Sequence, residues 1–344
     1  MTTTVPKIFA FHEFDDVAEA VADHIVYCQN LALNKYNTSK TGTNDGVSNA
    51  PDSNEGNSNN TSNLKNNNQS NNASPNTSNT NIDNKPHKRK VSIHYSNKNT
   101  NDTEHANGKQ KKDSANNTRF KIALSGGSLL EVLHNGLLKR NDIKWDKWDI
   151  YFADERLVPF SSPESNYGLA KRKIFDLIDV KAYGKPNVYH IDESLLEDPE
   201  ACADQYEQTL IKQFASKDSV RLPMFDLFLL GCAPDGHIAS LFPNFQGNLR
   251  EKHAWCIPVV NAPHGPKNRI SLTVPVICHS HQVTFVVEGA VKAPVVKTIM
   301  ERPEKGLPSS IVNEGAAGRV SWFVDDDALN DVCVTKKKYK YMVQ

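Results

Sequence analysis

Asparagine dominates a long internal stretch of this 344-residue chain. Residues 34–118 hold 24 Asn among 85 positions, together with many Ser, Thr and Lys and few aromatic or branched apolar residues. Such a composition buries too little apolar surface to offset the entropy that ordering costs, so we predict a disordered low-complexity insertion here. About 260 residues remain, which is enough for one α/β domain with a large core.

Strand-like and helix-like segments alternate on both sides of this insertion. Apolar runs predict strands at 7–11, 120–124, 148–153, 187–191, 225–230, 254–260, 269–276, 282–288 and 320–324. Apolar residues at helical spacing predict helices at 14–33, 129–137, 166–178, 199–214 and 290–300. The alternation predicts a single doubly wound α/β domain, whose mostly parallel sheet carries helices on both faces. We assign residues 1–33 and 119–335 to this domain and residues 336–344 to a basic C-terminal tail.

The charges of the chain cancel, with 40 Lys and Arg against 40 Asp and Glu, so net charge indicates neither a nucleic-acid nor a membrane partner. Basic clusters stand at 85–90, 109–112 and 336–340. They are either solubilising charge on flexible segments or a nuclear-import signal or RNA-contacting arm, and the sequence leaves these alternatives open.

The six cysteines show no C-x-x-C pair and no zinc-like spacing, which favours core thiols in a reducing compartment and no metal. The first residues lack the apolar stretch of a signal peptide, and no run has the length of a membrane span. We therefore expect a cytoplasmic protein that does not contact membranes, with the nucleus as an additional location.

The segment Gly231–Pro243 is the strongest candidate for chemistry in the chain. It follows the apolar run 225–230, so it lies where α/β sheets place their functional loops, and a helix-like segment is expected after it. Asp235 and His237 stand in this loop, and histidine is the side chain best suited to proton transfer near neutral pH. A lone histidine after a strand is more often structural, but Pro234 and Gly236 fix the backbone on either side of Asp235.

Two further strand ends carry residues suited to binding an anion. Ser125, Gly126, Gly127 and Ser128 join a strand to a helix N-terminus, where backbone N–H groups and the helix dipole favour negative charge. The segment lacks the pattern of a nucleotide P-loop or a dinucleotide fingerprint, so it fits a phosphorylated small molecule better, or it is only a tight turn.

Three consecutive charged residues, Asp154, Glu155 and Arg156, close the next strand. They are either a surface salt bridge or a paired group at a cleft, in which Arg156 grips a phosphate. Arg269 and Lys292 are additional cations that complete an anion site, or else remain solvated surface charges.

Together these segments resemble one family. S-G-G-S, D-E-R-x-V-P followed by S-N, G-x-x-P-D-G-H-x-x-S-L-F-P, R-I-S-L-T-x-P and E-G-x-x-K occur in the order found in 6-phosphogluconolactonases. The resemblance covers residues 7–33 and 119–330 and extends to fungal lactonase-like paralogues that have been associated with tRNA export from the nucleus.

The resemblance implies a fold shared with glucosamine-6-phosphate deaminases and a reaction of the pentose phosphate pathway, in which 6-phospho-glucono-δ-lactone is hydrolysed to 6-phosphogluconate without metal or organic cofactor. It implies His237 as general base, oriented by Asp235 or by Asp154. The phosphate and sugar ring would be held by Ser125, Gly126, Gly127, Ser128, Arg156, Arg269 and Lys292. The expected partner is a phosphorylated sugar lactone, and we expect a monomer.

This chain departs from the family pattern at three places. Ala233 stands where the family usually has Gly, and a Cβ there strains the loop if the position needs a positive φ. Ile238 replaces a Thr beside the proposed base, and many members have Asn near Cys278. The alternative function is therefore a weakly active or inactive lactonase-like protein that acts in tRNA export, linked indirectly to the tRNA transport machinery. Deamination of an aminosugar phosphate fits the motif set less well.

Overall fold

Strands and helices alternate along the described chain, as the apolar pattern predicts. The computed structural model describes residues 6–38, 118–215, 222–330 and 332–340, all within one compact unit. Its strands are β1 (Lys7–Phe11), β2 (Phe120–Leu124), β3 (Trp148–Phe152), β4 (Asp154–Arg156), β5 (Asn187–Tyr189), β6 (Leu227–Leu230), β7 (Cys256–Val259), β8 (Arg269–Leu272), β9 (Val283–Val287), β10 (Val320–Asp325) and β11 (Lys336–Lys337). Its α-helices are α1 (Phe14–Thr38), α2 (Leu129–Leu137), α3 (Asn166–Lys173), α4 (Val180–Tyr183), α5 (Pro199–Phe214), α6 (Gln246–Leu249), α7 (Val274–His279), α8 (Ala293–Glu301) and α9 (Pro308–Gly315).

Eight strands form one sheet in the order β11-β1-β10-β9-β6-β2-β3-β5, and every neighbouring pair is parallel. This confirms the predicted doubly wound α/β class. From β2 the chain builds outward through β3 to β5, whereas from β6 it builds in the opposite direction through β9 to β10. The strand order therefore reverses between β2 and β6, and ligands of open α/β sheets bind at the carboxyl ends of strands at such a switch point.

The core lies on both faces of this sheet because neighbouring side chains of a strand point to opposite sides. On β6, Leu227 and Leu229 join the core cluster beneath α1 and α2, whereas Phe228 and Leu230 join the cluster that contains α5, α8 and α9. All four side chains are fully buried. The continuous apolar run of β6 is thus what a central parallel strand, covered by helices on both faces, requires.

A second, three-stranded sheet is antiparallel, with the order β4-β8-β7. The sequence predicted that Asp154, Glu155 and Arg156 only close the preceding strand, whereas these residues form β4 and pair with Arg269–Ser271 of β8. The predicted strand 269–276 is also too long. It ends at Leu272, and α7 begins at Val274 with Pro275 in its first turn, because proline has no N–H to donate to a ladder.

The helix-like segment predicted after the histidine loop (Gly231–Pro243) is the short helix α6, and residues 231–245 themselves are not helical. Ile238 and Leu241 form an isolated antiparallel bridge, and Ala239 between them has a φ of +47°. A left-handed residue interrupts any α-helix, so helical structure begins only at Gln246.

The predicted insertion 34–118 lies almost wholly outside the described residues, and α1 continues five positions beyond its predicted end, to Thr38. At the other end of the chain, Lys336 and Lys337 of the predicted basic tail pair with β1, and the Tyr339 ring packs against Phe9 and Phe323. The six cysteines lie within the described ranges, and none of them forms a disulfide bond there. Among the helices of the described ranges, none combines the length and the apolar character that a membrane span needs.

Candidate active site

A cleft opens at the carboxyl ends of β2 and β6, at the point where the strand order reverses. Four predicted loops contribute to it. Its lining comprises Ser125, Gly126, Gly127, Ser128, Asp154, Arg156, Gly231, Cys232, Ala233, His237, Ile238, Ala239 and Lys292. The fold therefore brings together eight of the ten predicted site residues as lining, with Asp235 directly behind His237.

His237 and Asp235 form a hydrogen-bonded pair. His237 Nδ1 lies 2.6 Å from Asp235 Oδ1, and the same oxygen accepts the His237 backbone N–H at 3.1 Å. Burial acts to raise the pKa of Asp235, but its bonds with His237 outweigh this effect and hold the pKa below its ordinary value. A carboxylate only accepts hydrogen bonds, so Nδ1 carries the proton and the Nε2 lone pair is left available as a base.

Burial also lowers the pKa of His237, while the charges of Asp235 and Asp154 offset part of that effect. The imidazole is therefore neutral at neutral pH, which is the state that a general base needs. Its ring lies 4.5 Å from the ring of Phe242, which is almost completely buried. Phe242 thus limits how far the imidazole can rotate.

A tight turn presents this pair. Gly236 N–H donates to Ala233 O and Ala233 N–H donates to His237 O, which closes the segment from Ala233 to His237. Gly236 has a φ of +83°, and a Cβ there would lie 2.8 Å from Leu307 Cδ1. Ala233 does not have a positive φ. The condition under which the Ala233 Cβ would strain the loop is therefore not met, and the turn has its positive φ at Gly236.

Ile238 is buried among apolar side chains, with 1% of its surface exposed, and also borders the cleft. The core accommodates the ethyl group that replaces the threonine hydroxyl. Cys278 lies in α7 beside Gly315 and is not part of the cleft lining. Of the three departures from the family pattern, Ala233 and Ile238 are at the site.

The Ser125–Ser128 loop joins β2 to α2. Gly127 has a φ of +71° and open space beside it, and the Ser128 side chain makes no capping bond to the helix. At Gly126 a Cβ would lie 1.8 Å from Asn166 Oδ1, so only glycine permits the observed approach of α3. The loop thus leaves a helix N-terminus facing the cleft, which suits an anion.

Asp154 connects the loops that surround the cleft. Its Oδ2 accepts the Ser240 hydroxyl at 2.7 Å, and its Oδ1 accepts Asn166 Nδ2 at 3.3 Å and the Ser125 hydroxyl at 3.5 Å. Asn166 Nδ2 also donates to Asp154 O at 2.9 Å. The sequence left open whether Asp235 or Asp154 orients His237. Asp235 occupies that position, whereas Asp154 joins three loops and acts on His237 only through its charge.

Glu155 points away from the cleft and binds the N-terminus of α3. Its carboxylate accepts the backbone N–H of Arg156 at 2.8 Å and those of Asn166 and Tyr167 at 2.7 Å. Burial raises the pKa of Glu155 to about 7, against the effect of these donors. The middle charge of the D-E-R motif therefore fixes the helix that carries Asn166.

Two cations border the cleft. Arg156 Nη1 donates to Glu164 O at 2.9 Å and lies 3.4 Å from Glu164 Oε2, while its Nε lies 3.9 Å from Asp154 Oδ2. Lys292 Nζ donates to Cys232 O at 2.8 Å, from a turn that leads into α8. These contacts hold both cations at the border of the cleft.

Arg269 is not part of the cleft lining. It is 3% exposed, and its Nε donates to Pro266 O at 2.9 Å while Nη2 donates to His264 O. Its Nη1 donates to the Ser240 hydroxyl at 3.5 Å. Arg269 was predicted to bind the phosphate, but its donors are used by protein oxygens behind the histidine loop.

The sequence patterns did not identify Asn166, Ser240 and Phe242 as site residues. All three nevertheless stand in the family motifs, since S-N contains Asn166 and S-L-F-P contains Ser240 and Phe242. Their hydrogen bonds and ring contacts depend on loops that meet only in the fold. Within the described ranges, no group of three or more His, Cys, Asp or Glu side chains is arranged to hold a metal ion.

Comparisons with known proteins concern the family and the fold of the chain. Residues 100–322 match the family model described as glucosamine-6-phosphate isomerases/6-phosphogluconolactonase. The 6-phosphogluconolactonase-like protein 1 of Saccharomyces cerevisiae is 65% identical over 341 residues, covering 99% of this chain and 98% of the relative. The probable 6-phosphogluconolactonase of Schizosaccharomyces pombe is 43% identical over 213 residues, covering 61% of this chain and 82% of the relative.

Among solved structures, the 6-phosphogluconolactonase from Trypanosoma cruzi matches with a TM-score of 0.59 at 19% identity. The match covers 97% of this chain and 100% of that one. At this level of identity the likeness concerns the fold alone.

Proposed function

The chain belongs to the glucosamine-6-phosphate isomerase/6-phosphogluconolactonase family, and on this premise we propose that it hydrolyses 6-phospho-glucono-δ-lactone to 6-phosphogluconate. The observation that carries the proposal is the His237–Asp235 pair, whose base borders the same cleft as a glycine-rich helix N-terminus and two cations. A neutral base beside an anion-binding loop suits the hydrolysis of a phosphorylated ester.

In the proposed reaction the phosphate lies against the Ser125–Ser128 loop, with Arg156 and Lys292 supplying positive charge. These contacts place the lactone carbonyl in front of His237. Because they act on a part of the substrate that does not react, their binding energy serves orientation of the ring.

His237 Nε2 takes a proton from water as the water oxygen bonds to the lactone carbonyl carbon. The carbonyl oxygen becomes negatively charged, and a backbone N–H or a cation of the cleft stabilises it. The bond from this carbon to the ring oxygen then breaks, and the imidazolium returns its proton to that oxygen, which leaves a hydroxyl and a carboxylic acid. Asp235 stabilises the imidazolium between the two steps.

The test is lactone opening by the purified protein, measured against the spontaneous rate in buffer. We expect acceleration that His237→Ala reduces by roughly 10²- to 10⁴-fold. His253→Ala, at an exposed histidine away from the cleft, is the matched control and should retain full activity. No acceleration by the wild type would overturn the proposal, and full activity of His237→Ala would overturn the role of the base.

The same preparation tests the other activity named in the family description. Release of ammonia from glucosamine 6-phosphate would favour an isomerase or deaminase, whereas we expect none. The relatives compared above carry names of the lactonase type, which supports this expectation.

The tRNA-export alternative remains a proposal that rests on sequence. Its main support, the tract 34–118, lies almost wholly outside the described residues, and the same holds for two of the three basic clusters. Deleting residues 40–115 and following the cytoplasmic and nuclear distribution of the protein tests it. An unchanged distribution and unchanged tRNA export would contradict it.

A further inference from the structure

Arg269 makes its contacts in the loop between β7 and β8 and in the histidine loop. Two of its nitrogens donate to Pro266 O and His264 O, and a third donates to the Ser240 hydroxyl. An arginine that binds a phosphate must present the planar fork of donors of its guanidinium to the cleft. With 3% of its surface exposed, Arg269 presents its donors to protein oxygens.

One contact of Arg269 leads to Asp154. The Ser240 hydroxyl oxygen accepts from Arg269 Nη1 at 3.5 Å, and the hydroxyl donates to Asp154 Oδ2 at 2.7 Å. The serine therefore has its orientation fixed from both sides. Asp154 in turn joins the Ser125 loop and Asn166.

A second contact leads to His237. The Arg269 guanidinium carbon lies 5.3 Å from the centroid of the Phe242 ring, which is within the range of a cation–π contact. The Phe242 ring lies 4.5 Å from the His237 ring and is 1% exposed. The Phe242 ring thus contacts both the guanidinium and the imidazole.

We propose that Arg269 is a positioning residue that fixes His237 through Phe242 and Asp154 through Ser240, and that it does not bind the substrate phosphate. The inference rests on the proposed lactonase function. It assigns to the first residue of R-I-S-L-T a role that differs from the one expected from sequence.

The positive charge of Arg269 acts on the pKa of His237, and this pKa can be measured in addition to the kinetics. A purely steric role of Arg269 would leave this pKa unchanged. The ionised groups that act on His237 are Asp235 and Asp154, which favour its protonation, and Arg269, which opposes it. Removing the positive charge should therefore raise the pKa of His237. Less imidazole would then be unprotonated in weak acid, so the acid limb of the activity profile should move to higher pH.

The experiment compares Arg269→Gln with Arg156→Gln, a matched change at an arginine that borders the cleft. For Arg269→Gln we expect kcat to fall roughly ten- to hundredfold, with KM and competition by inorganic phosphate changed by less than about twofold. Arg156→Gln should instead raise KM and weaken phosphate competition. An Arg269→Gln variant that raises KM, weakens phosphate competition and leaves kcat unchanged would overturn the proposal.

Because Arg269 is buried, Ser240→Ala and Phe242→Leu serve as second variants, and each should lower kcat without raising KM. Failure of both to affect kcat would also overturn the proposal. Titration of the His237 ring by NMR, together with binding of 6-phosphogluconate, separates this inference from the proposed function. A raised His237 pKa with unchanged product binding in Arg269→Gln supports positioning even if the wild type opens no lactone. An unchanged His237 pKa counts against it whatever the activity.

Discussion

At the scale of single residues, Asp235 binds His237 through two donors at once. One carboxylate oxygen accepts both the backbone N–H and the ring N–H, because the two residues are separated by a single glycine with a positive φ. The pair is therefore a local structure of the turn. It sets the tautomer of His237, and in the proposed reaction it would stabilise the imidazolium that forms when His237 takes a proton.

Asp235→Asn tests this pair. The asparagine oxygen still accepts a hydrogen bond, but the negative charge that favours protonation of His237 is gone, so the pKa of His237 should fall further below its ordinary value. A weaker base that also lacks its stabilising charge should lower kcat at least about tenfold. NMR titration of the ring and steady-state kinetics measure both effects.

Asp16→Asn, on the exposed first turn of α1, is the matched control and should change neither quantity. An unaltered titration of His237 in Asp235→Asn would mean that the charge of Asp235 does not act on the base.

The departures at Ala233 and Ile238 show what sequence could establish at this scale. The motifs correctly predicted that His237, Asp154 and the Ser125–Ser128 loop border one cleft. The condition for strain at Ala233, a positive φ, is not met, because the bond from Ala233 N–H to His237 O closes the turn there and Gly236 takes the positive φ. Such a bond between two loop residues leaves no periodic signal in the sequence.

At the scale of elements, apolar periodicity predicted the central strands and long helices, because a buried strand or helix face must be apolar at regular spacing. It failed at β4, whose residues are Asp, Glu and Arg. These charges are tolerated because Glu155 accepts three backbone N–H groups and Asp154 accepts three side-chain donors. The hydrogen-bond donors that these buried carboxylates need come largely from α3 and from the histidine loop. These elements are not adjacent to β4 in sequence, so the apolar pattern around β4 does not predict them.

Glu155→Gln tests the link between β4 and α3 through the pH dependence of stability. The folded-state pKa of Glu155 is about 7, above the ordinary 4.5, so the folded state binds more protons than the unfolded state between these values. The free energy of unfolding contributed by this group is therefore fully present below about pH 4.5. It should decline by up to about 3 kcal/mol as pH rises through 7.

Glutamine does not titrate, so the variant should lack this decline. Chemical denaturation between pH 5 and pH 8 measures the slopes of both proteins, and Glu19→Gln on the exposed face of α1 should keep the wild-type slope. Parallel slopes for the wild type and Glu155→Gln would show that Glu155 keeps its ordinary pKa in the fold.

At the scale of the whole molecule, the cleft lies at the carboxyl end of β2, whereas the tract 34–118 precedes the amino end of this strand in the sequence. The chain enters β2 at Phe120, and the strand delivers Ser125 to the cleft five residues later. Five residues of strand span roughly 16 Å. The two larger core clusters of the described ranges use residues that precede and residues that follow the tract 34–118, including Val21 of α1 and Ile122 of β2. The domain is thus built from two separate parts of the chain, joined through about 80 intervening residues.

Deleting Thr43–Lys112 tests whether this domain depends on the tract. About ten residues would still join Thr38 to Phe120, and a shorter loop costs less closure entropy. We therefore expect the free energy of unfolding to rise by about 2 kcal/mol and lactone opening to stay unchanged, because the cleft residues and both cores are retained. A Gly/Ser tract of the original length is the control, and its stability should match the wild type. Loss of stability or of activity in both variants would show that the natural tract contributes contacts that the domain needs.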